Sequence, residues 1–440
     1  MLRQAEQRSS QDIKADVHRR LIETMNLGEA RKMPVEQLYK ECERQADNLL
    51  SDLNRPLSGP EKTQLLREVM DDVFGLGPLE EFLRDDFVSD ILVNGAKVCY
   101  VERYGQLTKV DAAFRDDQQL IQVIQRIGAR VGRRIDESSP MLDARLEDGS
   151  RVNAIIPPLS LDGPSLSIRR FGTVPIDMNA LIKLGTFTEE MVEFLEACVR
   201  CKLNVLLSGG TGTGKTTMLN VLSKWIPEGE RVVTIEDAAE LQLQREHVVR
   251  LETRPQNVEG VGEVTQRSLL RNCLRMRPDR IIIGEVRGSE ALDMLQAMNT
   301  GHEGSMTTVH ANSPRDAFMR IENMVAMAGL NFPVSAIRQQ MTSALNILVH
   351  LSRLSGGQRK LVNICEVNHM EGDTILMQDI FRFNQTGVSK EGQAEGQFEC
   401  CGVRPQIIER LKAEGVELPD SFFQRRILKN NAVNQNGNGK

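Results

Sequence analysis

Apolar positions along this chain change period several times, and the changes divide it into blocks. Over residues 1–55 the chain is polar, with Val17, Leu21, Ile22 and Met25 at helical spacing, which predicts a helical extension. Pro56 and Ser58-Gly59-Pro60 interrupt it, and a second helix over 61–74 is stopped by Gly75-Leu-Gly-Pro78. Two apolar runs then flank Asn94-Gly95, a dipeptide suited to a tight hairpin turn. Leu120, Ile121, Ile124 and Ile127 share one side of a helix over 118–132, and strands are expected over 144–146, 151–156 and 165–170. Together these make an α+β amino-terminal domain over 56–171. Phe171-Gly-Thr-Val-Pro175 breaks any regular element and marks a linker over 172–178. From 179 to 384, strands over 231–236, 247–252 and 280–284 alternate with helices over 188–200, 218–224, 264–275 and 289–298. That is the pattern of a largely parallel sheet covered by helices, an α/β domain. Beyond 384 the chain turns Gly-, Gln- and Glu-rich, with one amphipathic segment over 405–414. The tail from Asn430 carries no core signal, so 385–440 is expected to be a separate segment ending in disorder.

The junction between strand and helix in the α/β block carries the clearest chemistry. Asn204-Val-Leu-Leu-Ser-Gly-Gly-Thr-Gly-Thr-Gly-Lys-Thr-Thr217 fits G-x4-G-K-[ST], the phosphate loop, with an apolar strand before it and a helix after it. Glycines let backbone N–H groups close around phosphate oxygens, and the helix N-terminus adds positive potential. The expected cradle is Gly209, Gly210, Thr211, Gly212, Thr213, Gly214, Lys215, Thr216 and Thr217. Lys215 would reach the β- and γ-phosphates, and the Thr216 hydroxyl would sit on Mg²⁺. ATP with Mg²⁺ is therefore the expected ligand.

Three further stretches supply reactive groups. Arg275-Met-Arg-Pro-Asp-Arg-Ile-Ile-Ile-Gly-Glu285 reads as a Walker B strand in which Gly284 stands where Asp is usual, leaving Glu285 to orient or deprotonate the attacking water. Thr234-Ile-Glu-Asp-Ala-Ala-Glu240 puts three carboxylates at the end of another strand, where Glu236 ahead of Asp237 and Glu240 could hold metal-bound water. Thr300-Gly-His-Glu-Gly-Ser-Met-Thr-Thr-Val-His-Ala-Asn312 carries His302 and His310. Their spacing is not that of a zinc-binding helix, where i and i+4 share a face, so sensing of the γ-phosphate and a purely structural role both stay open.

Composition narrows the classes. A net charge of −6 and an aromatic content of 4% give no basic, base-stacking face for nucleic acid. No apolar run reaches the ~18 residues of a membrane span, and the first residues lack a signal-like core, so a cytoplasmic protein touching the membrane only through partners is expected. The 8 cysteines are scattered, and the lone pair Cys198-Val-Arg-Cys201 reads as helix packing rather than a zinc site. Leu354-Ser-Gly-Gly-Gln358 spells the transporter ATPase signature, but it follows both nucleotide motifs and lies between two β-like runs, where it suits a hairpin turn.

Taken in order, the phosphate loop, Ile-Glu-Asp-Ala-Ala-Glu240, Asn-Val-Glu-Gly-Val-Gly-Glu-Val-Thr265, Leu-Arg-Met-Arg-Pro-Asp-Arg-Ile-Ile-Ile-Gly-Glu-Val-Arg287 and Met-Asn-Thr-Gly-His-Glu-Gly-Ser-Met-Thr-Thr-Val-His-Ala-Asn-Ser-Pro314 resemble the type II/type IV secretion ATPase superfamily. Within it the likeness is to the CpaF type of the tight-adherence (Tad/Flp) pilus systems, over roughly residues 60–384. A paired-CxxC insertion is lacking, which fits this branch, while Ser268 departs from the acidic residue expected after Thr-x-Arg. The resemblance implies a RecA-like P-loop motor domain, a smaller α+β amino-terminal domain and a helical extension. It also implies a homo-hexamer that couples ATP hydrolysis to pilus assembly or secretion through an inner-membrane platform protein. Nucleotide between the two domains gives a reason for Arg169 and Arg151, then Arg145, on the last amino-terminal strands, with Arg170 beside them. A type IV secretion channel export ATPase and a RecA-like nucleic-acid translocase are the alternatives.

Overall fold

A computed structural model describes residues 59–429 apart from 104–105, 113, 147, 171–176, 255, 257–260 and 330–331, with a few helical positions between 20 and 48. The extension expected over 1–55 and the tail from Asn430 thus fall almost wholly outside the described residues. The chain forms two units, Met1–Thr173 and Val174–Lys440.

In the first unit the described elements are α1 (Gly59–Val73), α2 (Glu80–Leu83), β1 (Val88–Asn94), β2 (Cys99–Arg103), β3 (Gln106–Val110), α3 (Asp117–Arg130), β4 (Met141–Arg145), β5 (Arg151–Ile155) and β6 (Ser165–Arg169). The strands form one sheet in the order β3-β2-β1-β6-β5-β4, every neighbour antiparallel. Alternation decides its faces: Ile91, Val93, Val101, Val152, Ala154, Leu166 and Ile168 point into the core, where Leu120, Val123, Ile124 and Ile127 of α3 cover them. Asp116 starts α3 by accepting the Gln119 N–H at 2.8 Å. The turn at Asn94-Gly95 is longer than the expected two-residue type, spanning 95–98 and closed by Asn94 N–H on the Val98 carbonyl at 2.9 Å. β3 escapes the sequence reading because it is an exposed edge strand with no apolar alternation.

The second unit contains α4 (Met178–Lys183), α5 (Glu189–Arg200), β7 (Val205–Gly209), α6 (Lys215–Ser223), β8 (Val232–Glu236), β9 (Val248–Glu252), α7 (Gln266–Cys273), β10 (Arg280–Ile283), α8 (Glu290–Asn299), β11 (Met306–His310), α9 (Pro314–Ala326), α10 (Val334–Ala344), β12 (Ile347–Arg353), β13 (Arg359–Glu371), β14 (Thr374–Val388), β15 (Ala394–Cys400), α11 (Ile408–Ala413) and β16 (Arg426–Leu428). They build a 10-stranded sheet, β16-β15-β14-β13-β12-β7-β11-β10-β8-β9. From β12 to β9 all neighbours are parallel, whereas β13 to β16 are antiparallel. The parallel strands β7, β8 and β10 are buried along their whole length, which explains their unbroken apolar runs. This half is the α/β, RecA-like P-loop domain expected, with the phosphate-loop strand at its centre.

No boundary falls at 384. β14 runs straight through that position, and β15 and β16 extend the same sheet. Phe398, Ile408, Leu411, Phe422 and Phe423 join the core that holds Leu207 of β7, and Phe194 meets Phe381 and Phe423 edge-on at 5.7 and 6.0 Å. Glu395 and Gln397, which make this stretch look like a tail, lie on exposed positions of β15 between the buried Ala394, Phe398 and Cys400.

Candidate active site

β7 ends at Gly209 and α6 begins at Lys215, so the turn between them is the phosphate loop. Gly209 is obligatory by contact: a Cβ there would lie 2.4 Å from the Leu351 carbonyl oxygen and 2.6 Å from Thr213 Oγ1. Gly214 caps α6 in the left-handed region at φ 96° and offers no side chain to the first-turn N–H groups, which stay available to an anion. Lys215 is 8% exposed, and its ammonium donates to the carbonyls of Gly209 at 3.0 Å and Gly210 at 2.8 Å. Burial lowers its pKa, with Glu285 opposing that shift. Beside the loop opens a cavity of about 400 Å³ lined by Gly210, Thr211, His310, Ala311, Asn312, Asp316 and Arg320. A buried lysine whose hydrogen bonds among the described residues go to two carbonyls, a helix start without a side-chain cap and an adjoining cavity fit a polyphosphate. Thr216 is half-buried at the same helix start, with the hard oxygen that suits Mg²⁺.

Because β7, β8, β10 and β11 run parallel, their carboxyl ends share one edge of the sheet, where open α/β sheets bind ligands. That edge gathers Gly209, Glu236, Glu285 and His310. His310 is paired with Gly209 across β11 and β7. Glu285 is gripped from two sides: Arg287 meets it through Nε and Nη2, each at 2.9 Å, and His310 Nε2 lies 3.2 Å from Oε1. Burial pushes the Glu285 carboxyl up, but the Arg287 hydrogen bond and charge, joined by His310 and Lys215, outweigh it and leave the pKa lowered. Burial and the Lys215 charge lower His310 in turn, favouring the neutral ring.

The acidic stretch divides its labour differently from the order expected. Asp237 faces the Glu285 cluster, with Oδ2 3.6 Å from Arg287 Nη1. Glu236 is 3% exposed and turned inward, Oε2 accepting the N–H groups of Glu240 at 2.7 Å and Leu241 at 2.9 Å. Its other oxygen, Oε1, is buried with no protein partner among the described residues. Burial raises this carboxyl to about 7. Its packing explains Gly284: a Cβ at that position would sit 2.8 Å from Glu236 Cγ and 3.4 Å from Oε2. The side chain of Glu236, from the neighbouring strand, thus occupies the space beside Gly284.

His302 does not join this group. It precedes β11 by four residues and lies beyond the amino end of that strand, the edge opposite His310. There its carbonyl accepts the Ser305 hydroxyl at 2.7 Å, in a network where Asn204 Oδ1 accepts Ser305 N–H at 3.0 Å. The three favoured arginines belong to the first unit and fall in one row: Arg145 opposes Arg151, and Arg151 opposes Arg169. Being cross-strand partners they share a face, opposite the buried Val152 and Ile168. Arg169 Nε also pairs with Asp90 at 3.0 Å, and Arg145 Nε donates to the Gly149 carbonyl at 3.1 Å. Arg170 turns inward to the Asp85 and Val88 carbonyls. Arg287 and Asn312 close stretches quoted above but were given no role there, and Asp316 and Arg320 had no linear signal; the fold sets Arg287 on Glu285 and the other three around the cavity beside the loop.

Residues 72–407 match the family model described as Type II/IV secretion system protein. A Mycobacterium tuberculosis relative named "Putative conjugal transfer protein" is 38% identical over 313 residues, covering 70% of this chain and 88% of its own. Conjugal transfer protein TrbB of Rhizobium radiobacter is 31% identical over 294 residues, 66% of this chain and 86% of that relative. The solved structure of the VirB11 ATPase from the Brucella suis type IV secretion system aligns over 67% of this chain and 97% of that one, at 28% identity and a TM-score of 0.36.

Proposed function

The chain belongs to the Type II/IV secretion system protein family, and from that premise we propose that its ATPase activity powers Tad/Flp pilus assembly. The enzyme is an ATPase, acting as a homo-hexamer against an inner-membrane platform protein. Among the described residues no helix is long and apolar enough to cross a membrane, so contact with the bilayer is assigned to that partner. The observation that carries the catalytic reading is the meeting of Glu285 and His310 at the sheet edge that also ends in the Lys215 loop.

On this reading Lys215 exchanges its two carbonyl partners for oxygens of the β- and γ-phosphates, and the uncapped N–H groups of α6 hold the rest. A water oxygen bonds to the γ-phosphorus, the bond to the β–γ bridging oxygen breaks, and Glu285 takes the water proton. Mg²⁺ carried with the nucleotide would be held by Thr216 and, through water, by Glu236, neutralising phosphate charge. His310 beside Glu285 reads the presence of the γ-phosphate, and Arg169, Arg151 and Arg145 stabilise the charge on the transferred group in the assembled ring.

The test is the Mg-ATPase rate per chain against protein concentration, with Glu285→Gln as the blank. A rate climbing steeply with concentration is expected, because sites are completed by assembly; a flat rate down to concentrations where sizing shows monomers removes the ring. The conjugal-transfer names of the relatives favour a second reading, export through a type IV secretion channel. Deletion followed by complementation separates the two: restored surface pili support the pilus reading, and restored DNA or effector transfer with unchanged pili supports the channel.

A further inference from the structure

The turn that spells Leu354-Ser-Gly-Gly-Gln358 is not idle in this fold, although neither the sequence reading nor the catalytic scheme uses it. β12 lies beside β7 in parallel register with Leu351 opposite Gly209, so β12 outlasts the phosphate-loop strand by Ser352 and Arg353. Two extra residues advance a strand by roughly 7 Å, which carries its end alongside the crest of the loop. The hairpin then reverses: Gly356 and Gly357 sit in the left-handed region at φ 77° and 79°, and Arg359 opens β13 directly opposite Arg353. Residues paired in this way point to the same side of a sheet.

That side is the phosphate loop. Arg359 Nε donates to the Gly212 carbonyl at 2.9 Å, and its Cδ lies 3.7 Å from where a side chain on Gly214 would begin. Arg353 Nη1 lies 3.8 Å from the corresponding point on Gly212. The turn is supported from behind, since a Cβ on Gly356 would strike Gln393 at 2.5 Å. Two guanidinium groups are therefore held, by sheet register on one side and a packed turn on the other, at the crest of an anion-binding loop. Like charges directly opposite each other on neighbouring strands are destabilising, and an anion placed between them reverses the sign. Arginine also offers several N–H donors in a plane, so that Arg359 can keep Nε on Gly212 while its other nitrogens meet phosphate oxygens.

We propose that the β12–β13 hairpin is a nucleotide clamp, with Arg359 and Arg353 binding the polyphosphate of a nucleoside triphosphate from the same unit that carries the phosphate loop. The inference rests on the nucleotide-binding reading above and adds to it a pair of binding residues outside the arginine row of the first unit. It also gives the hairpin a way to feel nucleotide: the arginine that ties it to Gly212 is the one that meets the phosphates.

The experiment measures binding of a fluorescent ATP analogue to the full chain and to Arg359→Gln, Arg353→Gln, Arg359→Lys and Lys215→Ala, alongside nucleotide-free melting. Loss of one charge-assisted phosphate contact is expected to weaken binding about ten- to hundredfold in Arg359→Gln and Arg353→Gln. Arg359→Lys, which keeps the charge, should recover part of that loss and retain the salt dependence of wild type. Nucleotide-free melting close to wild type in the Gln variants separates a binding role from a structural one. Wild-type affinity in both Gln variants, with Lys215→Ala impaired, overturns the clamp and leaves the nucleotide site standing. Lys215→Ala binding as tightly as wild type overturns the underlying reading. If Arg359→Gln melts early, Arg359→Lys and Arg353→Gln decide the matter together: wild-type affinity in both overturns the clamp.

Discussion

Gly284 offers the sharpest test of how this site is built. The space its missing side chain leaves is filled by Glu236, whose Cγ would lie 2.8 Å, Cδ 3.5 Å and Oε2 3.4 Å from a Cβ at 284. The first distance is below any contact real Cβ atoms make, so Gly284→Ala must push the carboxylate off the N–H groups of Glu240 and Leu241. Overpacking of this kind costs about 1–3 kcal/mol. Glu236→Ala alone leaves two N–H groups short of an acceptor, at about 1–3 kcal/mol each, partly offset by removing a buried carboxylate. With Glu236 already truncated there is nothing left for the new methyl to strike. The double variant should therefore be more stable than the sum of the singles by about 1–2 kcal/mol, within the range of couplings between touching residues. Urea unfolding followed by fluorescence gives these values, because the 1 tryptophan, Trp225, packs against the core of this unit. Additive costs, or a Gly284→Ala variant as stable as wild type, would show that Glu236 does not occupy the place of the missing side chain. Activity supplies a second reading: Glu236→Ala/Gly284→Asp, which moves the carboxylate from β8 to β10, should regain part of the ATPase rate that Glu236→Ala loses.

The same carboxyl predicts a pH dependence. Burial raises Glu236 from 4.5 to about 7, so between those values the native state binds more protons than the unfolded one. Stability is full below about pH 4.5, falls as pH rises through 7, and changes by about 3 kcal/mol in all; Glu236→Gln should flatten that part of the profile, and an unchanged slope in urea unfolding would sink the assignment. Arg287→Ala should move the acid limb of the kcat profile to higher pH, since it removes the hydrogen bond and charge that offset the burial of Glu285; an unmoved limb in steady-state assays would mean that Glu285 titrates independently of its arginine or is not the base. Phe423→Ala should cost about 3–5 kcal/mol and lower the single Trp225 transition as a whole, because Phe423 packs on Phe194 in the core of the sheet. A separate early melt of the carboxyl-terminal strands, detected by limited proteolysis, would restore a boundary near 384.

What could be read in the linear chain was whatever depends on short-range periodicity. Leu120, Ile124 and Ile127 announce a helix by spacing alone, and the glycines and lysine of the phosphate loop announce a turn between strand and helix. The failures have physical causes of three kinds. β3 is an exposed edge with no alternation to detect, and α10 starts without a side-chain cap, whereas α9 was legible and missed, with Ser313 capping Asp316 N–H, Pro314 in its first turn and Phe318, Ile321 and Val325 at helical spacing. β15 looks like a polar tail because only one of its faces is buried. The order of importance within the acidic stretch was unreadable, because Glu236 and Asp237 are neighbours whose side chains leave a strand end in different directions. One turns under the loop to Leu241 N–H and the other outward to Arg287. Likewise His302 and His310 sit in one motif yet at opposite edges of the sheet, since a strand passing between them separates what the sequence places close.

The placement of the chemistry follows from the order of the strands. After β7 the chain crosses over β11 and β10 to reach β8, continues outward to the edge strand β9, and only then returns over β8 to β10 and β11, so that β11 comes to lie beside β7 after β10 is placed. A parallel sheet wound in this way brings carboxyl ends from distant stretches to one edge, and the point where the direction of winding reverses leaves a crevice between neighbouring ends. Here the connections leaving β7 and β11 run in opposite directions, toward β8 and toward β12, and the cavity beside Gly210 and His310 opens at their ends. β12 closes the other side of β7, and from it the sheet turns antiparallel. An antiparallel partner can be reached by a short hairpin, whereas a parallel one needs a long crossover. The change of direction next to β7 is therefore what allows a tight arginine-flanked turn to stand against the loop, where a further crossover helix would otherwise have to begin.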